Sequence, residues 1–487
     1  MFFSSDWMQR ELAWWNIPGL EIGVCDRSGT IWQQGYGWRD PEKHLPMTPD
    51  TLGPIASCTK SFTAAVIASL AADGLLSFDT PVREYIPDFA LMDPAASQQC
   101  TLRDMLCHRT GLSAHDGTWP DPDTDRRAFL RRARFLEPNR PFRYSSEYNN
   151  TVYDLIGCIA EEVSGISWEE LVRERVLRPL GMNRSCLTMA DMMKDPDHAK
   201  GYFAASRTAP LQEMAPWEMG VGAPAAAVNS CVSEMLRWLR MHLNRGSFEG
   251  TLLFSEKMMD EMHTPTAVMD AFPWTFPEVP GIGIYGMGWK TCVYRGRILR
   301  YHCGELEGFC SMQAFLPREG FGIFILCNRH KPVTPLLLEL IYTAIDRLLE
   351  YPDTDWASRL HPYAEVFSGS CDDWPVDLMS ADSIPDDQSS DEWLSAACAE
   401  LPGVYEHPGY GHVRIDAESG NPVLIFRTQR LRLHPVRRDL WMIRDLKEDT
   451  LYYTLPLRVI REGASARAAG ITLKLDANTP PVLFIRK

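Results

Sequence analysis

The sequence predicts an α+β layer followed by a small antiparallel β unit. Three observations carry that reading. β-type runs lie at both ends of the first 350 residues, with helical patterns between them. After residue 400 the helical patterns stop and short strand-like runs take over. Between the two, residues 368–393 hold eight acidic residues and no basic one, in a Ser-, Asp- and Pro-rich stretch without periodicity. A chain of 487 residues is also too long for one core. The expected division is 1–365, an acidic linker at 366–395, and a barrel unit at 396–487.

In chain order, GLEIGVC and TIWQQGYG read as a hairpin joined by Asp26-Arg27-Ser28-Gly29. From Ser57 an Ala-rich, Pro-free stretch predicts a helix that stops at Gly74. Val152, Leu155, Ile156, Ile159, Ala160 and Val163 recur at helical spacing, and Gly165 ends that second helix. Residues 281–328 return to β, as GIYGMGWKTCVY, RILRYHCG, FCSMQAFL and GFGIFILCN. PLLLELIYTAIDRLL then predicts a long helix over the sheet. Past residue 400, HVRID, PVLIF, RLRLH, LWMIRD, LYYTL, GITLKL and PVLFI fit a small antiparallel barrel or sandwich.

Composition narrows the function classes. Lys and Arg total 49 against 64 Asp and Glu, so the basic footprint that phosphate binding needs is missing and no nucleic-acid partner is expected. The charge is uneven, with a net of +5 in residues 401–487 and −20 in the rest, which favours docking of the two units. No apolar run approaches the ~18 residues of a membrane span. The N-terminus lacks a basic signal-peptide region, and thirteen cysteines are scattered without a CxxC pair. A reducing, cytoplasmic compartment is the expectation.

Ser57-Cys58-Thr59-Lys60 places a hydroxyl and an amine three residues apart at a helix start, on one face. A serine becomes a strong nucleophile when a base removes its proton, and a lysine in a dry pocket serves as that base. The spacing arises by chance in a chain this long, so it gains weight only with partners. Two follow. Tyr148-Asn149-Asn150 opens the second helix and offers a phenol as proton relay and an amide to hold a substrate group. Tyr144-Ser145-Ser146 competes for that place but lacks the Asn and the helical sequel. His302-Cys303-Gly304 lies on a strand, where the glycine would let a substrate backbone approach. His108 and His115 lack a zinc-ligand spacing, and no Gly-rich phosphate loop precedes a helix. No metal and no cofactor are expected.

SxxK, YxN and HxG in this order resemble the serine β-lactamase and penicillin-binding protein superfamily. Within it, the sequence is most similar to the class C-type branch, with its D-aminopeptidases, D-alanyl-D-alanine carboxypeptidases and esterase relatives. The stretches TPDTLGPIASCTKSFTA, LRDMLCHRTGL, YNNTVYDLIG, YGMGW and HCGELEGF carry the resemblance across residues 15–350. LPGVYEHPGYG, residues 401–411, resembles the start of a lipocalin-like accessory domain.

The resemblance implies a β-lactamase-like fold, in which helices flank an antiparallel sheet beside an all-helical subdomain, followed by a β-barrel. It implies Ser57 as acylated nucleophile, Lys60 as its base and Tyr148 as proton shuttle. Asn150 would bond the substrate amide or the lysine, and His302 would take the third-motif place. Gly304 precedes Glu305, whose N–H would join that of Ser57 in an oxyanion hole. The expected activity is a serine peptidase or amidase on small peptides or amides, D-configured ones included. An esterase or a peptide-cyclising thioesterase uses the same residues, and a catalytically silent binding protein is the third alternative. Glu305 and Glu307 beside a neutral His302 disfavour an anionic substrate terminus. Self-association is left open.

Overall fold

The structure is a computed structural model. It describes residues 2–115, 125–204, 206–214, 218–269, 272, 274–330, 333–364, 391–418, 421–426, 429–437, 439–445, 455–461, 467–475 and 480–487. Helix α1 (Ser5–Trp15) leads into the predicted hairpin, β1 (Gly19–Asp26) and β2 (Thr30–Asp40), and a short β3 (Leu45–Pro46). The two predicted helices follow as α2 (Thr59–Ala72) and α3 (Asn150–Ser164), and Gly165 at φ 72° ends the second. Helix α4 (Val232–Leu243) precedes β4 (Ala267–Met269) and β5 (Gly283–Tyr285). Strands β6 (Lys290–Tyr294), β7 (Arg297–Leu306), β8 (Phe309–Leu316) and β9 (Phe321–Cys327) complete the sheet, and α5 (Thr334–Leu348) crosses its back.

The nine strands run in the order β4-β5-β6-β7-β8-β9-β1-β2-β3, each antiparallel to its neighbour. The central strands β1, β8 and β9 are buried on both faces, and period-2 alternation divides their side chains between two cores. From β9, Ile323 and Ile325 pack with α1 and α5, while Phe324 and Leu326 pack with the helical layer of α2, α3 and α4. In that layer Trp238 stacks on Phe62, with ring centroids 4.1 Å apart. Burial of each such ring contributes about 1.5–3 kcal/mol.

The expected strand run at residues 283–294 is interrupted, since Gly286–Trp289 separates β5 from β6. Of the expected linker, 366–390 lie outside the described residues, and 391–395 begin helix α6 (Asp391–Glu400). The barrel follows as β10 (Gly403–His407), β11 (Gly411–Glu418), β12 (Asn421–Phe426) and β13 (Gln429–Arg437). It continues through β14 (Leu440–Asp445), β15 (Leu455–Ile460), β16 (Gly470–Leu473) and β17 (Val482–Arg486). All eight pair in sequence order and β10 closes on β17, so the sequence's choice of barrel or sandwich resolves to a closed barrel. Most of the LYYTL run lies outside the described residues.

The turn between β10 and β11 seats the barrel on the helical layer. Tyr410 is buried there, and its hydroxyl donates to His115 Nδ1 at 2.6 Å, while His115 Nε2 donates to the Glu137 carbonyl at 2.9 Å. Gly409 sits against Phe135 and Leu136. These described contacts are apolar packing and a neutral hydrogen bond, not the attraction of net charges expected from composition. No helix among the described residues is long and apolar enough to cross a membrane.

Candidate active site

Ser57 lies in a single 3₁₀ turn, Ala56–Cys58, where the chain enters α2. Ala56 holds φ at 48°, a left-handed conformation that costs a residue with a Cβ about 1–2 kcal/mol. The sheet holds the turn in place. Ser311 Oγ donates to the Ile55 carbonyl at 2.7 Å, and Cys58 Sγ donates to the His302 carbonyl at 3.2 Å. Gly304 faces the same segment, and a Cβ there would stand 2.1 Å from the Ile55 oxygen. Gly304, expected to admit a substrate backbone, has the nucleophile's own segment as its close neighbour.

Lys60 follows in the first turn of α2 and is fully buried. Its Nζ donates to Ser57 Oγ at 3.1 Å, to Asn150 Oδ1 at 2.6 Å and to the Ala225 carbonyl at 3.0 Å. Three acceptors match the three hydrogens of an ammonium, and loss of one proton leaves Nζ a lone pair for the Ser57 hydroxyl. The N-terminus of α3 brings Asn150 to this point. Asn149 caps that helix, accepting from the Val152 N–H at 2.8 Å, and its amide also donates to the Ser113 carbonyl. The two asparagines therefore divide the work, one holding the helix and the other the lysine.

Tyr148 precedes the cap, half-buried, with Lys60 Nζ 4.9 Å from its ring centre. Its competitor Tyr144 is 72% exposed and outside the cluster. Around Tyr148 stand residues to which the sequence reading gave no role. The His108 ring lies 4.6 Å away and Tyr285 6.3 Å away, while Lys290 Nζ is 5.5 Å from the ring centre. His108 and Tyr285 occur in the quoted LRDMLCHRTGL and YGMGW stretches, so the signal was present; Lys290 directly follows the second.

The structure places His302 on β7, against the Ser57 turn. It is fully buried, its Nδ1 donates to the Cys303 carbonyl at 2.7 Å, and its Nε2 accepts from the Tyr285 hydroxyl at 2.8 Å. Both nitrogens are thus engaged by protein. Burial, then the charges of Lys290 and Lys60, hold this imidazole well below its usual pKa. His108 is also kept neutral, by burial first and then by Lys60, His302 and Lys290. It accepts from the Asn149 N–H at Nδ1, 3.2 Å away, while His115 faces the barrel.

Glu305 is exposed near the end of β7. Strand β6 pairs with β7 only as far as Tyr301, so beyond that residue β7 keeps β8 as its strand partner and lies beside the Ser57 turn. Lys290 also alters the electrostatic expectation. Its described contacts are the Tyr148 ring and Cys303 Sγ at 3.6 Å, and no carboxylate among the described residues pairs with it. A second cation therefore stands at the site, beside Tyr148.

Residues 6–344 match the Beta-lactamase family. The chain belongs to that family. It is 28% identical over 435 residues to the unguisins hydrolase ungD of Aspergillus violaceofuscus, covering 84% of this chain and 76% of that one. Protein flp of Staphylococcus aureus is 26% identical over 372 residues, covering 74% and 69%. Among solved structures, the octameric penicillin-binding protein homologue from Pyrococcus abyssi aligns over 98% of both chains, with a TM-score of 0.61 and 22% identity. The class C beta lactamase from Rhodobacter sphaeroides aligns over 70% of this chain and 98% of its own, with a TM-score of 0.55 and 22% identity. The first of these shares the whole two-part architecture and the second the sheet and helical layer.

Proposed function

We propose that the protein is a serine hydrolase that cleaves small peptides or amides through an acyl-enzyme on Ser57. The contact that carries this reading is the Lys60 Nζ to Ser57 Oγ bond of 3.1 Å, in a pocket where Asn150 and Ala225 fix the amine. Ser57 Oγ attacks the substrate carbonyl while neutral Lys60 takes its proton. The tetrahedral oxyanion is held by the N–H groups of Ser57 and Glu305. Collapse breaks the C–N bond, and Tyr148 passes a proton to the departing amine. Water then attacks the ester by the reverse route, and Ser57 regains its proton.

His302 acts in this scheme as a positioning residue, fixing Tyr285 against the Tyr148 cluster. Lys290 is the specificity element, placed to receive a carboxylate on the substrate. The relative named a hydrolase of unguisins supports hydrolytic chemistry, and the octameric relative supports assembly into a homo-oligomer.

A fluorophosphonate probe followed by intact-protein mass should add one label to the wild type and none to Ser57→Ala. Labelling that persists at another serine rejects the assignment. A panel of p-nitroanilides and p-nitrophenyl esters separates amidase from esterase. Lys290→Met should raise KM about tenfold for amides bearing a carboxylate and leave neutral amides unchanged; equal effects on both remove Lys290 from the specificity role.

A further inference from the structure

The face of the sheet opposite Ser57 holds a second polar cluster. Glu11 comes from α1, Glu339 from α5, and His361 from the single turn His361–Tyr363. One ligand-type atom from each residue lies within 4.8 Å of the other two. His361 Nε2 is 2.9 Å from Glu11 Oε2 and 3.7 Å from Glu339 Oε2. Trp14 stacks on the imidazole at 3.6 Å between centroids and 14° between planes, which fixes the ring's orientation. Glu11 and His361 are 350 residues apart, so no sequence spacing announces the cluster.

Glu339 is the residue that needs explaining. Its side chain is wholly buried, and neither carboxylate oxygen has a hydrogen-bond partner among the described residues. It shares its helix with the buried Leu336, Leu340 and Ile341, where an aliphatic side chain would pack without desolvating a charge. Burial, then the neighbouring Glu11 and Asp355, push its carboxyl up to about 9, so it gives up a proton when a cation binds, and His361 is the one nitrogen in the cluster. Two carboxylates and an imidazole converge on one point.

We propose that Glu11, Glu339 and His361 bind one divalent transition-metal ion, with Zn²⁺ the best match. Zn²⁺ takes carboxylate oxygen and imidazole nitrogen at about 2.0–2.2 Å, which spaces tetrahedral ligand atoms about 3.4 Å apart. The observed separations of 2.9 and 3.7 Å bracket that value. Ca²⁺ and Mg²⁺ fit less well, because they prefer six or more oxygen ligands. The His361 side is 21% exposed, which leaves room for a water as fourth ligand. The ion would clamp α1 and the 361–363 turn onto α5, across the sheet from the reaction, so its role is structural.

The test uses chelator-treated full-length protein. ZnCl₂ is titrated by calorimetry and by thermal unfolding, with MnCl₂, CaCl₂ and MgCl₂ in parallel. The proposal expects one equivalent of Zn²⁺ and a Tm rise of about 3 °C or more at a hundredfold excess over Kd. Glu339→Gln and His361→Gln should each weaken binding about tenfold or more, with acyl labelling of Ser57 retained. If Glu339→Gln does not fold, His361→Gln carries the same test from a partly accessible position, with Glu11→Gln beside it. No binding to the wild type, or equal binding by wild type and variants, overturns the site.

Discussion

Two buried ionisable groups lie on opposite faces of one sheet, and the protein treats them differently. On the front, Lys60 is surrounded by Ser57, Asn150 and the Ala225 carbonyl, so the chain itself supplies an acceptor for each of its protons. On the back, Glu339 is buried as deeply, with no hydrogen-bond partner among the described residues. A buried charge is tolerated when its surroundings replace the water it loses. Lys60 therefore finds its acceptors within the fold, whereas Glu339, raised to about 9 by burial and then by Glu11 and Asp355, holds its proton instead of a bare charge.

The largest effects should come from the front face. Ser57→Ala should lower turnover about 10⁴-fold or more and abolish probe labelling, with Tm nearly unchanged. Lys60→Met should cost about 10³-fold in kcat and lower stability by about 2–4 kcal/mol, because Asn150 Oδ1 and the Ala225 carbonyl lose their donor. The back face should respond in the opposite direction. Glu339→Leu should raise the stability of the chelator-treated protein by about 1–3 kcal/mol, read as a shift in urea midpoint. If Lys60→Met and Glu339→Leu shift stability with the same sign, the contrast between the faces is wrong.

Acid sensitivity should come from buried histidines near the front face. Burial holds His108 and His302 well below the usual imidazole value, and it pushes His242 down to about 3. Their folded-state pKa values are depressed, so below the unfolded value of about 6.5 the unfolded chain takes up protons that the native state refuses. Stability is then lost as pH falls from about 7 toward 5, at about 1.4 kcal/mol per pH unit for each histidine. His242→Phe, placed among Trp238, Trp289 and Phe315, should reduce that slope by one proton. The smallest expected effect is at the barrel seat. Tyr410→Phe removes the bond to His115 and should cost about 1 kcal/mol, while Tyr410→Ala should loosen the seat and broaden the range of substrate lengths accepted. A peptide length series on both variants checks this.

The sequence made the front face readable where neighbours in space are also neighbours in the chain. Ser57 and Lys60 are one helical turn apart, and Tyr148 and Asn150 open a helix with strong periodicity. Lys290, Tyr285 and His108 reach Tyr148 through strand register and a loop from another part of the chain, so the stretches that carry the resemblance held them without showing what they meet. His302 was legible as a strand histidine, but its burial follows from the sheet's packing. Helix α4 went unread although Val232, Met235, Leu236 and Leu239 recur at helical spacing. The back-face cluster was beyond reach, since it joins the two ends of the sheet-bearing unit.

The missing side chain at Gly304 has a consequence for motion. Ser57 is referenced to β7 and β8 through Gly304, Ser311 and Cys58, whereas Asn150 belongs to the helical layer. A small sliding of α3 against α2 would change the path of the proton and leave the nucleophile's distance from the strand edge intact. Acylation geometry and proton delivery are thus separately adjustable: one is set by the thickness of a glycine, the other by how two helices rest on each other.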